Sequence, residues 1–294
     1  MPGTPTKEIH VKTATLASTE ATPRMIAHRT RGHRAGPATR LMSPSNLGQR
    51  LKPFVFLDLF DMHGPAPSFG LHPHSGIATV TVITDGNASF DDPVSGKGVI
   101  GYGGVEWMRA GGGVWHGTEM VPEAQHTRGF QLWVALPPEL ENTAAESQFI
   151  KAAHMPAVGP ACVILGSHEG VQSPVRSPAG MTYLLVTLKA GERWQYAPPP
   201  GHDVAWLAVG AGTLHAGETV QTGELAAFEP GSGPVDLQAG IEGNAVFVLG
   251  SAVPHRHDLV VGRHSVHTSS DALRAGEAGI AAIGARLRAS GVKV

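Results

Sequence analysis

Short apolar runs broken by turn residues recur along the whole chain, and their spacing predicts β-structure. Residues 51–60 form the first strong run, rich in Phe and Val, which suits a buried strand. Residues 78–84 alternate, with Val80 and Val82 set against Thr79, Thr81 and Ile83, the pattern of a strand with one face inward. Asp85-Gly86-Asn87 reads as a hairpin turn, 90–98 as a polar loop, and 105–108 and 130–136 as further strands. Pro137-Pro138 closes the last of these, and the Glu/Ala segment running to Lys151 reads as partly helical. In the second half the same grammar gives strands at 182–188, 204–209, 225–228, 235–237 and 245–249. Short strands about ten residues apart, with turns between them, are the signature of a sandwich or small barrel. Only 269–289 has convincing helical periodicity, through Leu273, Ile280, Ile283 and Leu287, with Ser270 or Asp271 placed to cap it.

The pattern predicts an all-β protein of two tandem barrels with a C-terminal helix packed on the body. The expected organisation is a loose polar tail at 1–24, a first barrel domain at 25–154, a Pro- and Gly-broken linker at 155–177, and a second barrel domain with the helix at 178–294.

Composition supports this and excludes several functions. Glycine (38) and proline (23) are both abundant while charged residues are only 16%, a balance of turns over charged helix faces. A hydrophobic share of 41% is ample for sizeable cores. The net charge is −2, and the one basic stretch, 29–40 with Arg31, His33 and Arg34, is read as a solvated loop. Direct nucleic-acid binding is therefore not expected. Cys162 is the only cysteine, so no internal disulfide can form. The opening Met1-Pro2-Gly3-Thr4 leads into no apolar signal region, and no apolar run reaches the roughly 18–20 residues of a membrane span. The expected location is the cytoplasm, with no membrane association.

Candidate chemistry concentrates in two stretches, Gly70-Leu71-His72-Pro73-His74-Ser75-Gly76 and the segment from Arg109 to Met120. On a strand His72 and His74 share a face, about 7 Å apart along the chain. His116 is placed to be a third ligand and Glu119 a fourth. Imidazoles with one carboxylate suit a borderline metal: Fe(II), Ni(II), Cu(II), Mn(II) or Zn(II). A His-x-His pair alone is weak evidence among 16 histidines; the flanking pattern raises its standing. The second half has no such pair in a comparable place, so a metal site should be single. His255-Arg256-His257, with His264 and His267 nearby, is read as a solvated loop, and His63 and His126 as surface loop beside the motifs, the alternative for these two being the mouth of the first barrel. Trp107, Trp115 and Trp133 are expected in the core or a pocket wall, Met120 in the core, and Cys162 is assigned no chemistry.

Several stretches together resemble the pirins, two-domain members of the cupin superfamily related to bacterial quercetin dioxygenases. They are Pro53-Phe54-Val55-Phe56-Leu57-Asp58, His72-Pro73-His74-Ser75-Gly76, Val105-Glu106-Trp107-Met108-Arg109-Ala110-Gly111, Val114-Trp115-His116 and Gly129-Phe130-Gln131-Leu132-Trp133-Val134. The resemblance implies a bicupin with one metal, usually Fe(II), in the first barrel. His72, His74 and His116 match its ligand histidines. The family's ligand Glu falls at position 118, which is Thr here, with Glu119 one place later. A further Glu common in the family falls at Ala78, which removes one candidate base. Two activities are implied: oxidation of a flavonol such as quercetin, with Glu119 as ligand and catalytic base, or metal-dependent regulation of a partner such as a transcription factor or metabolic enzyme.

Overall fold

The computed structural model of the protein describes residues 22–64, 70–92, 96–117, 121–122 and 125–293. Two seven-stranded sheets dominate, and their ladders are antiparallel. The first runs, edge to edge, through Glu146–Ile150, Val105–Arg109, Ile77–Asp85, His126–Ala135, Phe54–His63, Ala38–Met42 and His33–Ala35. The second runs through Ile26–Thr30, Leu225–Phe228, Val204–Ala211, Ala245–Ala252, Met181–Leu188, Ala161–Leu165 and Ala157–Val158. The expected architecture, two tandem cupin-type barrels with a C-terminal helix, is the one observed.

Strand alternation decides what fills each space. In Phe54–His63, Leu57 and Leu59 join Phe130, Leu132, Val80 and Val82 in a core shared with Ile164, Leu185, Trp206 and Val248 of the second sheet. The edge of Phe54 meets the Trp206 ring at 5.4 Å. Burying each such side chain contributes roughly 1.5–3 kcal/mol, so this seam binds the two barrels into one body. Inside the second barrel, Leu207, Val209, Leu214, Val220, Leu237 and Phe247 belong to an apolar cluster that fills the interior. The first barrel's interior carries smaller apolar clusters, beside which Phe56, Asp58, Phe60 and Met62 line a cavity.

Four local expectations are revised. Residues 90–92 and 96–98 are strand rather than loop: Asn87–Asp92 and Gly96–Gly101 pair as a hairpin, whose Phe90 stacks on Phe149 at 3.8 Å, while 93–95 lie outside the described residues. The segment before Lys151 is not helical but the edge strand Glu146–Ile150, where only one side needs apolar residues. The basic stretch is strands rather than loop, and Arg29 and Arg31 are paired with Glu224. The helix is Ser270–Ala289, capped one residue earlier than expected, by the Ser269 hydroxyl accepting from the Ala272 N–H. Two segments also pair outside the halves assigned from sequence. Ile26–Thr30 pairs with Leu225–Phe228, and Ala161–Leu165, within the expected linker, pairs with Met181–Leu188. Of the expected tail, residues 1–21 lie outside the described residues.

The C-terminal segment returns to the first barrel. Gly76 has φ +72°, and a Cβ there would lie 2.1 Å from the Val266 carbonyl oxygen. Only glycine permits both that conformation and that approach. The helix buries Gly276, Ile280 and Gly284, one every four residues. These small positions let it lie close, Gly276 against Ser75 and His267, Gly284 against the Trp115 indole. The Trp115 Nε1–H donates to the Ile280 carbonyl at 2.9 Å.

Candidate metal centre

A two-stranded ribbon, His72–His74 paired with Val114–His116, builds the site. His116 sits directly opposite His72 in the ladder, and His74 follows two residues on. Alternation therefore puts all three imidazoles on one face. Their ring centroids are 4.9 Å (His72–His74), 4.5 Å (His72–His116) and 5.1 Å (His74–His116) apart. One ligand nitrogen from each lies within 4.8 Å of the others.

The hydrogen bonds fix which nitrogens are free. His72 Nδ1 donates to the Gly70 carbonyl at 2.9 Å and His74 Nδ1 to the His264 carbonyl at 3.1 Å. A carbonyl only accepts, so both Nδ1 atoms carry the proton and both Nε2 lone pairs are left for a metal. The His116 Nε2 is buried with no hydrogen-bond partner. Leaving a polar atom so costs about 1–3 kcal/mol, a cost that a bound cation would remove. Burial, with the His72 ring as the lesser cause, pushes the His116 pKa down to about 3. Burial, then His116 and His72, holds His74 well below the usual histidine range. Neutral imidazole is the metal-binding form, so the donor set fits a divalent transition metal.

Above the histidines lies a cavity of about 380 Å³. Phe56 and Trp133 stack at 4.2 Å and form an aromatic wall, and His74 meets the Trp133 edge at 4.9 Å. At the polar side Asp58 takes both Arg40 Nε and Nη2 at 2.9 Å, and the Arg40 guanidinium lies 4.3 Å over the Phe56 ring. Gln131, Thr79, Arg263 and His264 complete the lining.

The structure brings together His72, His74 and His116 as the sequence proposed. Glu119 lies outside the described residues. Ala78 is buried in the inter-barrel core, so its neighbour Thr79, rather than position 78, borders the cavity. A carboxylate at 78 would face away from the histidines, and its absence does not take a base from the cavity. Trp133 is pocket wall, Trp107 is core and Trp115 docks the helix. His255 and His257 lie in a loop, while His267 is 1% exposed and His264 borders the cavity, both drawn inward by the returning segment. His63 and His126 are on paired strands rather than in a loop. Sequence reasoning missed Arg40, Gln131 and Arg263 as lining residues. Asp58 left a trace, as the one acid inside the apolar run of residues 51–60.

The chain is similar in sequence and in fold to known proteins. The pirin family profile matches residues 35–134. A Pseudomonas aeruginosa protein named "Putative quercetin 2,3-dioxygenase" is 32% identical over 222 residues, which is 69% of this chain and 76% of that protein. A Caulobacter vibrioides pirin-like protein is 36% identical over 177 residues, covering 56% of this chain and 63% of that one. Among solved structures, an Acinetobacter baumannii quercetin 2,3-dioxygenase superposes with TM-score 0.74 over 86% of this chain and 95% of its own, at 23% identity. The Escherichia coli pirin YhhW, solved in complex with nickel(II), gives TM-score 0.59 at 17% identity over 76% of this chain and 95% of its own.

Proposed function

The chain belongs to the pirin family, and on that premise we propose that it is a metal-dependent dioxygenase acting on a flavonol-type substrate such as quercetin. His72, His74 and His116 hold one divalent ion, Fe(II) in this reading, with Ni, Cu, Mn and Zn as the alternatives. Glu119 is proposed, from its place in the sequence, as a fourth ligand and catalytic base. The observation that carries the reading is the His116 Nε2, buried and unpartnered beside two histidines whose Nδ1 protons are committed to carbonyls, at the floor of an aromatic-walled cavity.

When bound, the metal supplies the Lewis-acid and redox chemistry that an O2-dependent oxidation needs. The chain's own residues do the rest. The Phe56–Trp133 wall takes a flat aromatic ring by stacking and excludes water from one side of it. Arg40, fixed by Asp58, and the Gln131 amide offer polar groups to substrate hydroxyls. The Gly70 and His264 carbonyls hold the ligand rings in one tautomer.

Elemental analysis of the purified protein, then O2 uptake with quercetin on the same sample, tests the reading. About one metal per chain with O2 consumption is the expected result, with metal content collapsing in His72→Ala. Full metal content in that variant would refute the ligand assignment. Stoichiometric metal with no O2 uptake would overturn the dioxygenase and leave a metal-dependent regulator of a protein partner.

A further inference from the structure

The strand Phe54–His63 has a second face. Phe60 and Met62 point into the cavity, so Asp61 and His63 point the other way. His126 stands directly opposite His63 in the antiparallel ladder. Asp61 Oδ1 lies 2.6 Å from His126 Nε2 and 3.4 Å from His63 Nε2. Its other oxygen, Oδ2, accepts from Arg128 Nη2 at 2.6 Å and Nε at 3.1 Å. His126 Nδ1 is 2.7 Å from Asp85 Oδ2.

We propose that Asp61, His63 and His126 form a second divalent-metal site, for a borderline ion such as Zn(II), separate from the barrel cavity. One ligand atom from each lies within 4.8 Å of the others. Two imidazoles and one carboxylate oxygen are a donor set such ions accept, with water completing the coordination. Asp85 supplies the supporting carboxylate: by taking the Nδ1–H of His126 it leaves Nε2 as donor, and Arg128 fixes the Asp61 oxygen that faces away. The His63 side chain is 76% exposed, so it can turn toward an ion, and the site is open to solvent. This departs from the single site expected from sequence, where His63 and His126 were read as surface loop. Asp61, His63 and His126 come from two strands and have no spacing motif.

His126 lies between two acids, its Nε2 2.6 Å from Asp61 Oδ1 and its Nδ1 2.7 Å from Asp85 Oδ2, and the contact with Asp61 is the chief cause of its raised pKa. An ion and a proton compete for the imidazole nitrogens, so binding should weaken as pH falls. The charged and titratable groups facing His126 among the described residues are Asp61, His63, Asp85 and Arg128. Arg128 also donates from Nη1 to the Gly210 carbonyl of the second barrel, which places the group at the barrel seam.

Zn(II) titration calorimetry tests this on the full chain carrying His72→Ala and His116→Ala, which silences the cavity site. The expected result is one Zn(II) per chain. Adding His63→Ala should weaken binding about tenfold or more. No Zn(II) binding in the His72→Ala/His116→Ala background would overturn the proposal, as would equal affinity with and without His63. If circular dichroism shows that background unfolded, the second equivalent taken up by the wild-type chain is measured instead, and it must disappear in His63→Ala. Loss of the first equivalent in His72→Ala reports on the cavity site alone, so the two assignments fail separately.

Discussion

His74 Nδ1 donates to the backbone carbonyl of His264, 3.1 Å away in space and 190 residues along the chain. A histidine of the candidate metal centre is thus oriented by the segment that follows the second barrel. The same segment gives Ser265 to the Ser75 hydroxyl at 2.9 Å and His267 Nε2 to the same hydroxyl at 2.9 Å. On the proposed metal assignment, affinity should depend on docking of the C-terminal arm. Gly76→Ala tests that dependence without touching a ligand. Its φ of +72° costs about 1–3 kcal/mol for an alanine, and the new Cβ meets the Val266 carbonyl. The expected outcome is a lowered Tm together with reduced metal content after dialysis. Unchanged metal content at an equally lowered Tm would separate the arm from the site.

The aromatic wall gives a second prediction. Trp133 stacks on Phe56 at 4.2 Å and borders the cavity. Trp133→Ala removes one ring of the pair, worth about 0.5–1.5 kcal/mol beyond its buried area. Affinity for a flavonol should fall about tenfold, with metal content intact, and Trp133→Phe should recover most of it. Fluorescence or calorimetric titration of the metal-loaded variants reads this directly.

Asp58 and Arg40 make a third case. Their paired bonds of 2.9 Å hold the guanidinium over Phe56. The Arg40 side chain is 33% exposed, so solvent screening limits the stability lost in Asp58→Ala to about 1 kcal/mol. The larger effect should be on ligand binding, since the freed Arg40 no longer holds its place at the cavity wall. A Tm shift of a few degrees with a several-fold weaker Kd is expected. A large Tm shift with unchanged Kd would assign the pair to the fold alone.

The three histidines of the candidate centre were legible in the sequence because all three sit on one two-stranded ribbon, where position in the strand determines the face. His72 and His74 follow from alternation, and His116 from the short β-like runs that carry the chain across the barrel and back; the structure sets it directly opposite His72. The barrels were legible for the same reason, through apolar runs that alternate along each strand. Arg263 and His264 were not, since what brings them to the cavity is the return of a segment far along the chain. That return rests on Gly76, Gly276 and Gly284, which have no side chain to carry a pattern. The edge strand Glu146–Ile150 was misread because half its surface faces outward, and its Glu146 pairs with Arg109 and Arg176 instead of packing in a core. Position 78 shows the converse error. Counting residues after a motif located a missing acid, but alternation puts Ala78 in the inter-barrel core with Val80 and Val82.

The histidines also set opposite pH responses in metal-free protein. His116 is held neutral, its pKa pushed from an ordinary 6.5 down to about 3 by burial and by His72. Below pH 6.5 the unfolded chain binds a proton that the folded chain refuses, so stability falls as pH drops toward 3. His126 behaves in reverse. Its pKa is raised, chiefly by Asp61, so its contribution is fully present below the unfolded value and is lost as pH rises through the folded one. Chelated wild-type protein should therefore lose stability on the acid side of pH 6.5 through His116 and on the alkaline side through His126. Chemical denaturation across pH 4–9 should show His116→Gln flattening the acid limb and His126→Asn flattening the alkaline one. A His116→Gln variant with an unchanged acid limb would mean that its ring is not the buried neutral group the site requires.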